Sequence, residues 1–143
     1  MKMVLLFIAL VIALLGTIVL RISGFSPGAT GVIAHRTIPD GTRFLVTQTY
    51  DVDDLGYKVD FYFKTPGSGW RWCYLAHDDS AWRDGRIDYD EAANTATIWN
   101  GSTIRGRLTL HDMNWERPDV KNGWNAPAPQ DLRDPPFKPA DWK

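Results

Sequence analysis

Residues 3–20 form an apolar run with no charge and no proline, set directly behind Met1 and Lys2. Nothing else in the chain restricts its fate as much. About 20 such residues, rising about 1.5 Å each, cover the roughly 30 Å hydrocarbon core of a bilayer as one helix. The expectation is a single transmembrane anchor over residues 1–23, continued past Arg21 by Ile22, with a linker over residues 24–30. A cleaved signal peptide would share the basic start at Lys2. Its apolar core, however, is usually about 7–15 residues long and ends at a small-x-small site. The sequence Arg21-Ile22-Ser23-Gly24-Phe25-Ser26-Pro27 offers no such site.

The charges that set orientation nearly balance, with Lys2 and the terminal amine on one side and Arg21 and Arg36 on the other. By analogy with uncleaved signal anchors, the N-terminus is expected in the cytoplasm and the domain on the extracytoplasmic side of a single-pass membrane protein. Ala9, Ala13 and Thr17 recur at four-residue spacing with Gly16 beside them. Small residues in that pattern let a second helix approach closely, although an anchor that meets only lipid would read the same. No ionisable residue interrupts the run, so it provides no proton relay, ion site or imidazole ligand.

Residues 24–143 are enough for one domain with a real core. Seven Trp, six Phe and five Tyr supply the apolar surface, and the formal net charge of −1 argues against a nucleic-acid groove, which needs a concentrated positive face. Cys73 is the only cysteine, which excludes an intrachain disulfide and a cysteine-based zinc finger. Between Trp72 and Tyr74 it reads as a buried, inert thiol rather than a nucleophile.

Turn signals recur roughly every 8 to 12 residues, the spacing of an antiparallel all-β domain. They are Pro39-Asp40-Gly41, Asp53-Asp54-Leu55-Gly56, Pro66-Gly67-Ser68-Gly69, Asp84-Gly85 and Asn100-Gly101. Asn-Gly suits a type I′ hairpin, which makes Ile98-Trp99 and Thr103-Ile104 the expected partners. Alternation is clearest where Tyr57, Val59, Phe61 and Phe63 point one way and Lys58, Asp60, Tyr62 and Lys64 the other. Trp70, Trp72 and Tyr74 make a second face, Phe44 and Val46 another, and Ile104, Leu108 and Leu110 a further one. Residues 90–94 read as a turn. About six or seven strands in sequential hairpins over residues 31–111 are expected, as a meander sheet, a small barrel or a sandwich.

Residues 112–143 hold Pro118, Pro127, Pro129, Pro135, Pro136 and Pro139, which disfavour regular helix or sheet. Trp115, Trp124, Phe137 and Trp142 lie among them. A disordered tail has little reason to expose aromatics, so the segment is expected to wrap its own domain or a neighbouring subunit.

Catalytic motifs are sparse. His35, His77 and His111 are the histidines, and a hydrolytic metal site would need His77 to converge with nearby acids. Adjacent strand residues point apart, so His77 and Asp78 are expected in an acidic turn. Asp51-Val52-Asp53-Asp54-Leu55-Gly56 opens like a calcium loop but places Leu55 fifth and Tyr62 twelfth, which excludes an EF-hand. There is no P-loop, dinucleotide fingerprint or Gly-x-Ser-x-Gly elbow. No cofactor is implied.

The leading expectation is a non-catalytic accessory or structural subunit that contacts the lipid bilayer and docks onto other subunits of a membrane complex. Its anchor, domain and tail would act as three linked contacts. The first alternative is a membrane-tethered glycan- or envelope-binding module with Trp70, Trp72, Tyr74, Trp82 and Trp99 as a stacking platform. That reading gains if Arg71, Cys73 and Leu75 face the core. The second alternative is a small hydrolase using His77.

Overall fold

A computed structural model describes residues 2–22, 30–118, 128–132 and 134–142. One helix, α1 (Lys2–Ile22), precedes nine strands: β1 (Gly31–Thr37), β2 (Arg43–Asp51), β3 (Gly56–Lys64), β4 (Trp70–Asp78), β5 (Gly85–Asp90), β6 (Thr95–Asn100), β7 (Thr103–Thr109), β8 (Asn114–Glu116) and β9 (Gln130–Leu132). All pairings are antiparallel, in one sheet of order β1-β2-β3-β4-β9 and one of order β5-β6-β7-β8. The two meanders pack face to face, which among the three expected architectures is the sandwich. Among the described residues no helix is long and apolar enough to cross a membrane. The side chains described on α1 are those of Met3, Val4 and residues 6–16, so the span expected over residues 1–23 exceeds them.

The core follows the alternation of the sequence. Phe44 and Val46 from β2, Val59, Phe61 and Phe63 from β3, and Cys73 and Leu75 from β4 meet Ile87, Ala96, Ile98, Leu108 and Trp115 of the second sheet. Trp115 lies flat on Phe61, with ring centroids 5.4 Å apart and planes 13° apart. A Cβ on Gly106 would collide with the Trp115 ring and crowd Leu75, so glycine at this β7 position is what admits the indole. Along one edge, Arg36 of β1 donates to the Ile87 carbonyl of β5 at 3.2 Å. Along the other, Arg105 of β7 holds Asp78 of β4 through Nη2, at 2.9 and 3.0 Å.

Three expectations need correction. The β domain does not end at residue 111: β8 carries Trp115 into the core, and β9 adds a strand beside β4, so the described tail is partly strand and the described residues hold nine strands. Ile104 does not share the face of Leu108. Trp99 pairs Ile104 while Ile98 pairs Gly106, and the bulge at Arg105 turns Ile104 outward. The hairpin expected at Asn100-Gly101 forms one residue later, since Asn100 pairs Thr103 and the loop is Gly101-Ser102. Only Gly101 there has positive φ, at 58°, the requirement of a type II′ turn at its first central residue. Residues 91–94 form the expected turn between β5 and β6.

Gly106→Ala is expected to destabilise the sandwich by about 1–3 kcal/mol, the usual cost of forcing extra volume into a packed core. Urea denaturation of the full-length protein in mild detergent, followed by tryptophan fluorescence, measures it.

Candidate functional site

The outer face of the five-stranded sheet gathers most of the chemistry-bearing side chains. Because Cys73 faces the core, Trp70, Trp72 and Tyr74 face outward from β4, and the β3 residues opposite them are Asp60 and Tyr62. Lys58, two residues before Asp60, completes this row.

This face is not a flat, solvated one. Asp60 and Tyr62 are buried. The C-terminal segment returns over one end, where Trp142 stacks on Trp70 with centroids 5.8 Å apart and meets the His35 ring edge-on at 5.4 Å. Arg43 lies over the Trp142 ring at 5.4 Å. Leu45, Tyr62 and Trp70 thereby form a second small core under Trp72 and Trp142.

Asp60 is the unusual member. Its Oδ1 is buried without a hydrogen-bond partner, and the Lys58 ammonium lies 3.7 Å from Oδ2. Burial pushes the carboxyl above its ordinary value; a hydrogen bond from Trp72 and the charge of Lys58 pull it down without cancelling that rise. Lys58 also sits over the Trp72 ring at 5.3 Å, and Arg117 over Tyr74 at 5.2 Å. Burial and the Asp60 charge push the Tyr62 hydroxyl up to about 12.

A bulge shapes the far end of the same face. Val59 pairs Ala76 while Asp60 pairs Tyr74, which leaves Leu75 as the extra residue. Beyond it the alternation reverses: Ala76 joins the core, and His77, opposite Lys58, points outward. His77 packs its ring over Gly56, where a Cβ would collide with it. Asp51 and Asp54, from the turn between β2 and β3, bring a carboxylate oxygen each within 4.8 Å of one another and of a ring nitrogen of His77. Asp51 Oδ1 accepts the backbone N–H groups of Asp53, at 3.0 Å, and Asp54, at 3.4 Å, which fixes the turn. Asp78 takes no part, because its carboxylate accepts from Arg105 and from the Trp82 indole.

The five aromatics expected to form one platform are divided. Trp70 is covered by Trp142; Trp82 is buried at the sandwich edge, its backbone N–H donating to Gln48 Oε1 at 2.9 Å. Trp99 lies on the outer face of the other sheet with Arg86 at 4.5 Å over its ring. Trp72 and Tyr74 remain, half-buried and outward. Of the expected tail anchors, Trp115 and Trp142 serve their own domain, Phe137 is half-buried, and Trp124 lies outside the described residues. Cys73 is buried, its thiol pushed up to about 12 by burial. Among the described residues, His111 Nε2 lies 3.5 Å from the carboxylate of exposed Asp112 and pairs with no other.

Asp60 escaped the sequence reading, which names the Asp51–Gly56 stretch and His77 separately, expects His77 in an acidic turn rather than in β4, and does not bring the two together. Alternation places Asp60 outward, yet nothing in the sequence says that Trp72 covers it. Counting alternate residues from Cys73 sends His77 inward, because the bulge is invisible in the sequence. Comparison with protein-family models, curated proteins and solved structures finds no match for this chain.

The native state holds the Asp60 proton more tightly than the unfolded chain does. Its contribution to stability is therefore fully favourable below the ordinary carboxylate value and is lost as pH rises through the raised native one. Asp60→Asn is expected to melt a few degrees above the parent at pH 7, with the difference narrowing as pH falls toward about 4. Thermal melts across that range check both parts.

Proposed function

We propose that the protein is a non-catalytic, membrane-anchored module that serves as an accessory or structural subunit of a larger membrane complex. In this reading α1 is a single-pass anchor and the sandwich stands on the extracytoplasmic side. The supporting observation is the exposure of apolar side chains around α1. Met3, Leu6, Phe7, Leu10, Ile12 and Leu14 are between 63% and 86% exposed. At 3.6 residues per turn all of these but Ile12 lie along one side, while Val4, Ile8, Ile12 and Leu15, between 49% and 64% exposed, cover a second side and Ala9, Ala13 and Gly16 the remainder. A helix apolar on all sides needs an apolar surrounding on all sides, which a bilayer supplies. The expected anchor is the apolar run over residues 3–20, which at about 1.5 Å each approaches the roughly 30 Å core, although the side chains described on α1 do not by themselves make a helix long and apolar enough to cross it.

Docking rests on two contacts rather than three, because Trp115 and Trp142 of the tail are engaged by their own domain. One contact is the helix face of Ala9, Ala13 and Gly16, where among the described residues no atom outside the helix lies within 4 Å of a Cβ built on Gly16. Thr17, assigned to the same face, has a side chain outside those described. The other contact is the outer face of the five-stranded sheet.

A second reading, a membrane-tethered glycan-binding module, draws on the orientation of β4: Cys73 and Leu75 face the core and Trp72 and Tyr74 face out. The cations over both rings leave less ring surface for a sugar than the sequence suggested.

Alkaline carbonate washing of native membranes, then mild-detergent extraction, sizing and mass spectrometry test the proposal. The full-length chain is expected to stay in the washed membrane and to migrate in a stoichiometric assembly. Leu10→Arg with Leu14→Arg, each costing about 2.5–3.5 kcal/mol at a helix centre in lipid, is expected to release it. Recovery of the parent chain in the wash overturns the anchor. Migration as a lone monomer overturns the subunit assignment and favours the glycan module, whose own test is loss of retention on an envelope-polysaccharide resin by Trp72→Ala.

A further inference from the structure

Asp51, Asp54 and His77 come from two separate segments, the β2–β3 turn and the end of β4, and meet at one end of the sheet's outer face. Two independent features single them out from an ordinary acidic turn. The first is the bulge at Leu75, which reverses the direction of the following side chains and sends His77 outward onto the acids. The second is the imidazole itself. The ring is half-buried, and its Nε2, packed against Gly56, is buried with no hydrogen-bond partner among the described residues. A buried imidazole nitrogen without a partner requires an explanation, and a ligand is one of the few available.

The separations fit the same explanation. No hydrogen bond joins His77 to either acid, yet the three ligand atoms fall within 4.8 Å of one another. Ligands sharing one ion at about 2.0–2.2 Å stand about 3–4 Å apart. Both carboxylates therefore draw in toward the ring on binding, exposed Asp54 and half-buried Asp51 alike, while His77 is held by its packing on Gly56.

We infer that Asp51, Asp54 and His77 bind one divalent transition-metal ion of the zinc type. The imidazole selects against calcium and magnesium, which take oxygen ligands, and the carboxylates complete a three-ligand set with room for water in the next position. Such an ion ties the β2–β3 turn to the end of β4. It is a property of this chain beyond the anchoring and docking proposed above and does not depend on them.

Isothermal titration of the full-length protein in detergent, stripped with chelator and dialysed, tests the assignment with ZnCl₂, and with CaCl₂ in parallel. One Zn²⁺ per chain is expected, weakened by about tenfold or more in Asp54→Asn and in His77→Gln. Asp53→Asn, whose side chain lies outside the group, is expected to bind as the parent does. Asp54 is exposed, so its variant keeps the fold, and a thermal melt of each variant confirms it. Absence of saturable Zn²⁺ binding overturns the inference. Zn²⁺ binding that survives both substitutions, or Ca²⁺ binding equally tight and indifferent to His77→Gln, also overturns it.

Discussion

Trp115 can lie flat against Phe61 only because Gly106 has no side chain, and the joining of the two sheets follows from that clearance. Phe61 also stacks with Phe44 and Phe63, at 6.1 and 5.9 Å, so the indole completes an aromatic row running through the centre of the sandwich. Each such pair adds about 0.5–1.5 kcal/mol beyond the area it buries. The arrangement carries a cost, because the Trp115 indole N–H is buried without a partner. Packing therefore outweighs polar satisfaction at this position, and the three-residue strand β8 exists largely to deliver one ring.

Of the three register breaks among the described strands, those at Leu75 and Arg105 convert a regular sandwich into one with distinct edges and ends. The extra residue Leu75 lets both Leu75 and Ala76 join the core and moves His77 out of it. The extra residue Arg105 breaks the alternation of β7 and brings a guanidinium to Asp78 on the opposite sheet. Both act on the same corner of the fold. A cleft of about 190 Å³ elsewhere on the outer face, lined by Arg43, Lys64 and Lys138 among others, looks basic but is largely compensated. Lys138 pairs with Asp134 at 2.8 Å, and Arg43 lies over Trp142.

The alternation of β3 and the turn residues revealed the all-β class, the sequential hairpins and most of the core, because burial on one face of a strand imposes a period of two. Legibility failed wherever that period broke. Ile104 sits next to an inserted residue and His77 two positions after one, and nothing in the local composition announces a bulge. It failed again where distant segments meet. Trp115 and Trp142 are separated from Phe61 and Trp70 by dozens of residues, so the prolines around them spoke for a tail while their rings belonged to the domain. Asp60 combines both difficulties, since its direction was plain and its cover was not.

The strand β9 pairs with only three residues of β4, from Trp70 to Trp72, yet it occupies the margin of the larger sheet. An unpaired margin of that kind is a template for any other chain with free backbone groups. Because β5 to β8 lie between β4 and β9 in the chain, this margin stays open while those strands are being made and closes only after them. The short closing strand thus sets when, rather than how firmly, the newly made protein stops being receptive to neighbouring copies of itself.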